Sequence, residues 1–211
     1  MGVVPKQQTP VILLGGASGS GKSYLAQRFG RPHLELDNFY REITEHSVAS
    51  PLPQTAYGEI DWDHPGTWNC DKAVDAMIEL LESGQTQVPN YSISTSSYDG
   101  THGVGLDGGP LIAEGIFVGE ILRPLQRLGV PVHAYYIDVS ALATAIRRFV
   151  RDVKERRKPL AFLLKRGYAL FLADKNIRAR HLATGFIPMK KNEVKALLAA
   201  AESQGGSPAG P

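Results

Sequence analysis

The chain has 211 residues, of which 43% are hydrophobic and 21% charged, and its formal net charge is +2. This composition excludes a generally disordered protein, and the small net charge argues against a dedicated nucleic-acid binder. The charge is unevenly spread: the twenty residues from Arg147 to Arg166 carry +7 and the rest of the chain −5. We therefore expect an anionic ligand at that segment and no nucleic-acid partner.

The single cysteine, Cys70, excludes an intrachain disulfide and a cysteine-rich zinc site. No segment approaches the roughly 20 apolar residues of a membrane span, so we expect a cytoplasmic protein without membrane contact. The length suits one α/β domain. We place it at residues 11–202, after a flexible N-terminus at 1–10 and before a disordered tail at 203–211.

Strand-like and helix-like segments alternate along the chain. The apolar run Val11–Leu14 ends in glycines and predicts a buried parallel strand, and a helix follows at Ser23–Arg28. Further strands are predicted at His33–Asp37, Leu111–Ile116, Val132–Val139 and Phe186–Pro188, and further helices at Asp71–Leu81, Ala141–Arg157, Leu160–Asp174 and Asn192–Ala201. This order predicts an α/β fold, a parallel sheet with helices on both faces.

The strongest motif is GASGSGKS, from Gly16 to Ser23, which fits G-x-x-x-x-G-K-[ST] between the first strand and its helix. Its glycines let backbone N–H groups curl around phosphate oxygens at a helix N-terminus. Lys22 would reach the β- and γ-phosphates, and the Ser23 hydroxyl would join a Mg²⁺ shell. The candidate nucleotide-binding residues are Gly16, Ala17, Ser18, Gly19, Ser20, Gly21, Lys22, Ser23 and Tyr24.

Two acids stand at predicted strand ends, where open α/β sheets bind ligands. Asp37 can accept a proton from an attacking hydroxyl and lie near the metal, although an aspartate there also suits a helix cap. Glu114 follows apolar strand residues, and its burial would be costly unless it faces a metal or a partner. We interpret it as a direct or indirect Mg²⁺ residue.

Two polar segments complete the pattern. Asp61–Pro65 reads DWDHP, which suits hydrogen bonds to sugar hydroxyls but also suits a plain turn. The basic segment ends where Pro159 breaks its predicted helix. Its arginines are either a solvated helix face or a lid over a transferring phosphoryl group, and the excess of one sign favours the lid.

In this order the motifs GGASGSGKS, LDNFYR, DWDHP, EGI and RRFVRDVKERRKP resemble the uridine kinase branch of the uridine kinase and phosphoribulokinase family, from about Val11 to Pro188. The resemblance implies a P-loop kinase fold with a β-hairpin substrate region and a helical lid at about 148–166. It also implies ATP, Mg²⁺ and transfer to a primary hydroxyl, such as the 5′-OH of uridine or cytidine. By motif, Ser23, Asp37 and Glu114 match metal-associated positions, Asp37 the catalytic base, and Asp63 the acid on the ribose hydroxyls. Arg148, Arg151 and Arg156 match the ribose and lid arginines, which we expect to be catalytic together with Lys22. Lys158 stands where the family often has another arginine, and with Arg151 it is a further candidate nucleotide-binding residue.

The base-recognition hairpin departs from the P-x-Y-D-F-x-x-H-S-R pattern of that branch. Pro89–Tyr98 reads PNYSISTSSY, with Ser96 in place of the base-reading histidine and Tyr98 in place of the arginine. The uncharged, shorter Ser96 cannot make the same contact to a pyrimidine edge. His102, six residues further on, is a candidate for that contact instead. The remaining candidate substrate residues are Tyr40, Tyr91 and Arg148.

The departure leaves the acceptor open. A kinase for a non-nucleoside hydroxyl compound, pantothenate-like or a sugar phosphate, is one alternative. A nucleotide-binding regulatory protein with little kinase activity is another. The sequence does not decide between ATP and GTP, nor the oligomeric state, for which a homo-oligomer is one option.

Overall fold

The structure is a computed structural model, which describes residues 9–17, 19–47, 49–55, 58–139 and 176–205. Within these residues, five parallel strands form the central sheet. The strands are β1 Val11–Gly15, β2 His33–Glu35, β3 Gln85–Ser92, β4 Ser97–Gly105, β5 Leu111–Glu114, β6 Val132–Ile137 and β7 Ile187–Met189. The helices are α1 Lys22–Phe29, α2 Cys70–Ser83, α3 Val118–Arg127, α4 over residues 176–184 and α5 Lys191–Gly205. Short 3₁₀ turns lie at Leu36–Phe39, Ile43–Glu45 and Pro65–Thr67.

The sheet order is β2-β5-β1-β6-β7. Central β1 pairs in parallel with β5 on one side and with β6 on the other, so that Leu14 lies level with Glu114 and with Tyr135. The loop after β1 therefore leaves the middle of the sheet at its carboxyl edge. At this edge, outside the carboxyl ends of the strands, open α/β sheets bind their ligands.

Alternate residues of β1 face two separate cores, since successive side chains of a strand point to opposite faces. Val11 and Leu13 join the core that includes residues of α2 and α3. Ile12 and Leu14 join the core that includes residues of α1 and α5. The predicted parallel sheet with helices on both faces is thereby confirmed.

Several boundaries differ from the predicted ones. The second strand stops at Glu35, and Asp37 lies in the 3₁₀ turn Leu36–Phe39 instead of the strand. Helix α5 extends to Gly205, past the predicted end at Ala201. Helices α3 and α4 were not predicted. In α3, Gly119 and Pro124 are poor helix formers, and they hide the apolar stripe of that helix. The two predicted helices within 141–174 and the lid at about 148–166 lie outside the described residues.

Strands β3 and β4 form a separate antiparallel hairpin, as predicted for the substrate region. The register shifts between Pro89 and Tyr91, which is the sign of a β-bulge. Proline cannot donate to the ladder, so its position beside the bulge is consistent with its chemistry. In the described part of the chain, no helix is both long and apolar enough to cross a membrane.

Candidate active site

The loop between β1 and α1 has the backbone of a phosphate cradle. Gly16, Gly19 and Gly21 have positive φ angles of 155°, 80° and 92°. The amide of Ser20 donates to the carbonyl of Ala17 (3.0 Å), which closes the turn, and Gly21 is the N-cap of α1. The glycines are required because side chains rarely adopt these φ angles. The loop therefore curls at the positive end of α1, as an anion site does. Ser18 lies outside the described residues.

Lys22, the first residue of α1, is buried beside Glu114 at the end of β5. Its Nζ lies 3.5 Å from Oε2 of Glu114, and the two side chains are 10% and 6% exposed. His33 Nε2 lies 3.7 Å from the other carboxylate oxygen, Oε1. Burial raises the pKa of Glu114, but His33, Lys22 and Ser23 together outweigh burial and hold that pKa below its ordinary value. Glu114 is thus an anion at neutral pH, as a metal-associated carboxylate must be.

Asp37 lies in the 3₁₀ turn after β2, close enough to Lys22 for the two charges to interact. Its Oδ1 accepts a hydrogen bond from the amide of Ile116 (3.2 Å). Asp37 as a residue keeps an exposed surface, yet desolvation by the surrounding protein raises the pKa of its carboxylate, against the charge of Lys22. A raised pKa makes the carboxylate a better proton acceptor, which suits a general base.

The segment that carries Asp37 is tied to the segment before α2. The indole of Trp68 donates to the carbonyl of Leu36 (2.7 Å). The amide of Asn69 donates to the carbonyl of Phe39 (2.9 Å), and that of Arg41 to the carbonyl of Thr67 (2.8 Å). These bonds fix the backbone on both sides of Asp37.

The site fits a nucleotide with Mg²⁺. Among the described residues, the buried Oγ of Ser20 inside the loop has no hydrogen-bond partner. The buried Oε2 of Glu114 is ion-paired with Lys22 but has no hydrogen-bond partner either, so a donor or a cation can still bind at each atom. No group of three His, Cys, Asp or Glu side chains in the described part could by itself hold a metal. Mg²⁺ commonly takes one or two carboxylates together with substrate phosphates. Glu114 and Asp37, with the Ser23 hydroxyl, supply that donor set.

An aromatic cluster lies next to Asp37. The ring of Tyr40 stacks on that of Tyr91, with centroids 5.4 Å apart, and meets the rings of Trp62 (6.0 Å) and Phe117 (5.7 Å) edge to face. Burial raises the pKa of Tyr40, and the charges of Asp37 and Asp63 raise it further. Asp63 of the DWDHP motif and the proposed base Asp37 therefore both lie close to Tyr40.

The base-recognition positions are bonded within the protein. Ser96 has a φ of 50°, and its carbonyl accepts from the amide of Ile43 (2.8 Å). The Tyr91 hydroxyl donates weakly to the carbonyl of Arg41 (3.4 Å). Burial raises the pKa of Tyr91, and a hydrogen bond with the Ser96 side chain offsets only part of that rise. His102 pairs with Asn90 (2.6 Å), and both border a cavity of about 400 Å³.

The structure thus groups three predicted residues, Lys22, Asp37 and Glu114, and places a second set beside them, namely Tyr40, Asp63, Tyr91 and Ser96. The lid cations Arg148, Arg151, Arg156 and Lys158 lie outside the described residues. Sequence reasoning missed His33 and Trp62. The position of His33 beside Glu114 depends on the register of β2 on β5, which the sequence does not show. Trp62 stands inside the DWDHP motif and could have been predicted from it.

The comparison with protein families decides the classification. A model of the Phosphoribulokinase / Uridine kinase family matches residues 11–164, more than half of the chain. The chain belongs to the phosphoribulokinase/uridine kinase family. The uridine kinase-like resemblance of its motifs is therefore confirmed, and the protein is a nucleotide-binding transferase of the kinase type.

Relatives of this phosphoribulokinase/uridine kinase family member include a protein named uridine kinase from Oceanobacillus iheyensis, 29% identical over 186 residues, with 84% of this chain and 80% of that protein covered. A uridine kinase of Saccharomyces cerevisiae is 28% identical over 166 residues, which cover 74% of this chain and 32% of that protein. A solved chain from Silicibacter sp. TM1040, provisionally assigned as a fructose transport system kinase, superposes with a TM-score of 0.62 at 17% identity, covering 84% of this chain and 88% of the other. The last likeness shows the P-loop kinase fold.

Proposed function

We propose that the protein is an ATP-dependent, Mg²⁺-requiring kinase that transfers the γ-phosphoryl group to a primary hydroxyl of a small molecule. One observation carries the proposal: Lys22, Glu114 and Asp37 meet at the mouth of the glycine loop. Phosphoryl transfer asks mainly for positioning and charge stabilisation, and this group supplies a cation, a metal carboxylate and a base.

Each residue has one task in this scheme. The loop amides and Lys22 bind the phosphates, and Asp37 orients the acceptor hydroxyl and takes its proton. Bound Mg²⁺, held by Glu114 and the Ser23 hydroxyl near Asp37, would neutralise phosphate charge. Arg148, Arg151, Arg156 and Lys158 are proposed, on the motif resemblance alone, to cover the transferring group.

Uridine or cytidine is the first candidate acceptor. Relatives named uridine kinase share 28–29% identity with the chain, and Asp63 lies beside Tyr40, where it would meet the ribose hydroxyls. A non-nucleoside hydroxyl compound is the second candidate, and the observation that favours it is Ser96. This residue replaces a base-reading histidine and is bonded to the protein through its carbonyl.

The test is ADP release with MgATP against uridine, cytidine, a set of sugars and sugar phosphates, and pantothenate. We expect at least one acceptor to raise ADP release well above the rate without acceptor. Lys22→Ala and Asp37→Asn should lower that rate by at least about a hundredfold. Asp107→Asn, at an exposed aspartate outside the site, is the matched control. If no acceptor raises ADP release while MgATP still binds, the protein is a nucleotide-binding regulator and the kinase proposal is wrong.

A further inference from the structure

Lys191, the first residue of α5, lies against the phosphate loop. Val194 and Leu198 of the same helix are buried in the core that also contains Leu14 and Leu25. Since residues three and seven positions further on are fixed in this core, the start of α5 is held beside the start of α1. Lys191 is therefore positioned by the fold, although no motif in the sequence includes it.

Lys191 contacts two residues close to Lys22 in the chain, Gly21 and Tyr24. A Cβ built on Gly21 would lie only 2.9 Å from Cε of Lys191, so the lysine side chain packs directly on the loop backbone. Its Nζ lies 5.3 Å from the centroid of the Tyr24 ring, which is 58% exposed. A cation above an aromatic ring is attracted to it, so Tyr24 holds the ammonium group at the loop.

The ammonium group of Lys191 has no acidic partner among the described side chains. Glu193, the nearest acid in the sequence, accepts instead from the amide of Lys190 (2.7 Å). A lysine held against a phosphate cradle without a counter-charge can bind an anion that enters the cradle.

The order of the strands indicates which phosphate group of the nucleotide Lys191 would bind. Asp37 follows β2 and Glu114 ends β5, on one side of β1, whereas Lys191 follows β7, on the other side. A phosphate chain whose terminal group points at Asp37 therefore runs from that side toward β7. We propose that Lys191 binds the α-phosphate of the donor nucleotide and that Tyr24 positions its ammonium group. The assignment to the α-phosphate rests on the proposed function in one respect, namely that the terminal phosphate points at Asp37.

The experiment compares the dissociation constants of MgATP, magnesium tripolyphosphate and magnesium pyrophosphate by calorimetry. Pyrophosphate fills only the β and γ positions, and tripolyphosphate fills the α position too. Lys191→Ala should weaken ATP and tripolyphosphate binding by about tenfold, as expected for one charge-assisted contact, and change pyrophosphate binding less than twofold. Lys191→Arg should recover most of the loss. Lys195→Ala, an exposed lysine one turn further along α5, is the control and should change none of the three.

Three results would overturn the assignment. An unchanged dissociation constant of MgATP in Lys191→Ala would show that Lys191 does not contact the nucleotide. An equal loss for all three ligands places the lysine on the β- or γ-phosphate, and a loss for ATP alone places it on the nucleoside. Failure of the wild-type protein to bind MgATP or pyrophosphate at all would instead refute the proposed function, so the two failures are distinguishable.

Discussion

The hydroxyl of Tyr98 donates a 2.6 Å hydrogen bond to the backbone carbonyl of Tyr40. This bond joins the β3–β4 hairpin to the segment that follows Asp37. The amide of Tyr98 also donates to the Glu42 carboxylate (2.9 Å), and the amide of Ile43 donates to Ser96. Tyr98 stands where the family resemblance expects an arginine. Tyr98, one of the residues that depart from the pattern, thus helps to fix the hairpin against the segment that carries Asp37.

Tyr98→Phe should therefore affect the acceptor more than the nucleotide. The change removes one hydrogen bond and should lower the free energy of unfolding by about 1 kcal/mol. We expect the KM of the acceptor to rise several-fold while the KM of ATP changes less than twofold. Denaturant unfolding and steady-state kinetics measure both. Tyr135→Phe, on β6 away from the hairpin, is the control. Equal changes in the two KM values would contradict the role given to Tyr98.

Gly115→Ala should displace the proposed base. A Cβ at this position would lie 2.8 Å from Oδ1 of Asp37 and 3.1 Å from Cβ of Leu36. Since a misplacement of about 1 Å can cost a hundredfold in rate, we expect kcat to fall by about ten- to a hundredfold, with little change in ATP affinity. Gly105→Ala, where the nearest atom is 3.7 Å away, is the control for added bulk. Normal turnover in Gly115→Ala would show that Asp37 does not need its present position.

Gly15→Ala tests the packing beneath the phosphate loop. A Cβ on Gly15 would lie 2.9 Å from Nε2 of His181 and 3.2 Å from the ring of Phe186. Either the histidine or the start of the loop must shift, so MgATP binding should weaken several-fold. Because the clash is with the imidazole, adding His181→Ala should restore part of the affinity. If the double variant binds no better than Gly15→Ala alone, the histidine is not the obstacle.

The burial of His181 predicts a loss of stability in acid. Desolvation lowers the pKa of His181 below the ordinary 6.5, although its Nδ1 bonds the carbonyl of Ile177 (2.8 Å). Above pH 6.5 the imidazole is neutral in both the folded and the unfolded chain. As the pH falls from 6.5 toward the folded pKa, the unfolded chain takes up a proton that the folded protein excludes. The free energy of unfolding should therefore decrease, by at most about 1.4 kcal/mol per pH unit from this group.

Denaturant unfolding between pH 7.5 and 5 measures this slope. In His181→Gln the slope should be smaller than in the wild type, whatever the absolute stability of the variant. Titration of the wild-type imidazole by NMR gives an independent check, since its midpoint should lie below 6.5. A midpoint above that value would reverse the sign of the effect.

Local sequence was enough for the nucleotide side of the site. The glycine spacing of residues 16–23 determines the loop, and the apolar run before it determines β1. The sequence predicts that Asp37 and Glu114 lie near each other, because parallel strands end at one edge of a sheet. His33 could not be found in this way, because its contact with Glu114 depends on the register of β2 and β5. Nor could the bond from Tyr98 to Tyr40, which joins residues 58 positions apart in the sequence.

The hydrogen bonds from Trp68 and Asn69 to the backbone around Asp37 have a thermodynamic consequence. The conformational entropy of that segment is lost when the chain folds, so an arriving acceptor does not have to order it. The binding free energy of the acceptor is then available for aligning its hydroxyl with the phosphoryl group. Stability of the fold and alignment of the proposed base are, in this protein, two effects of the same few bonds.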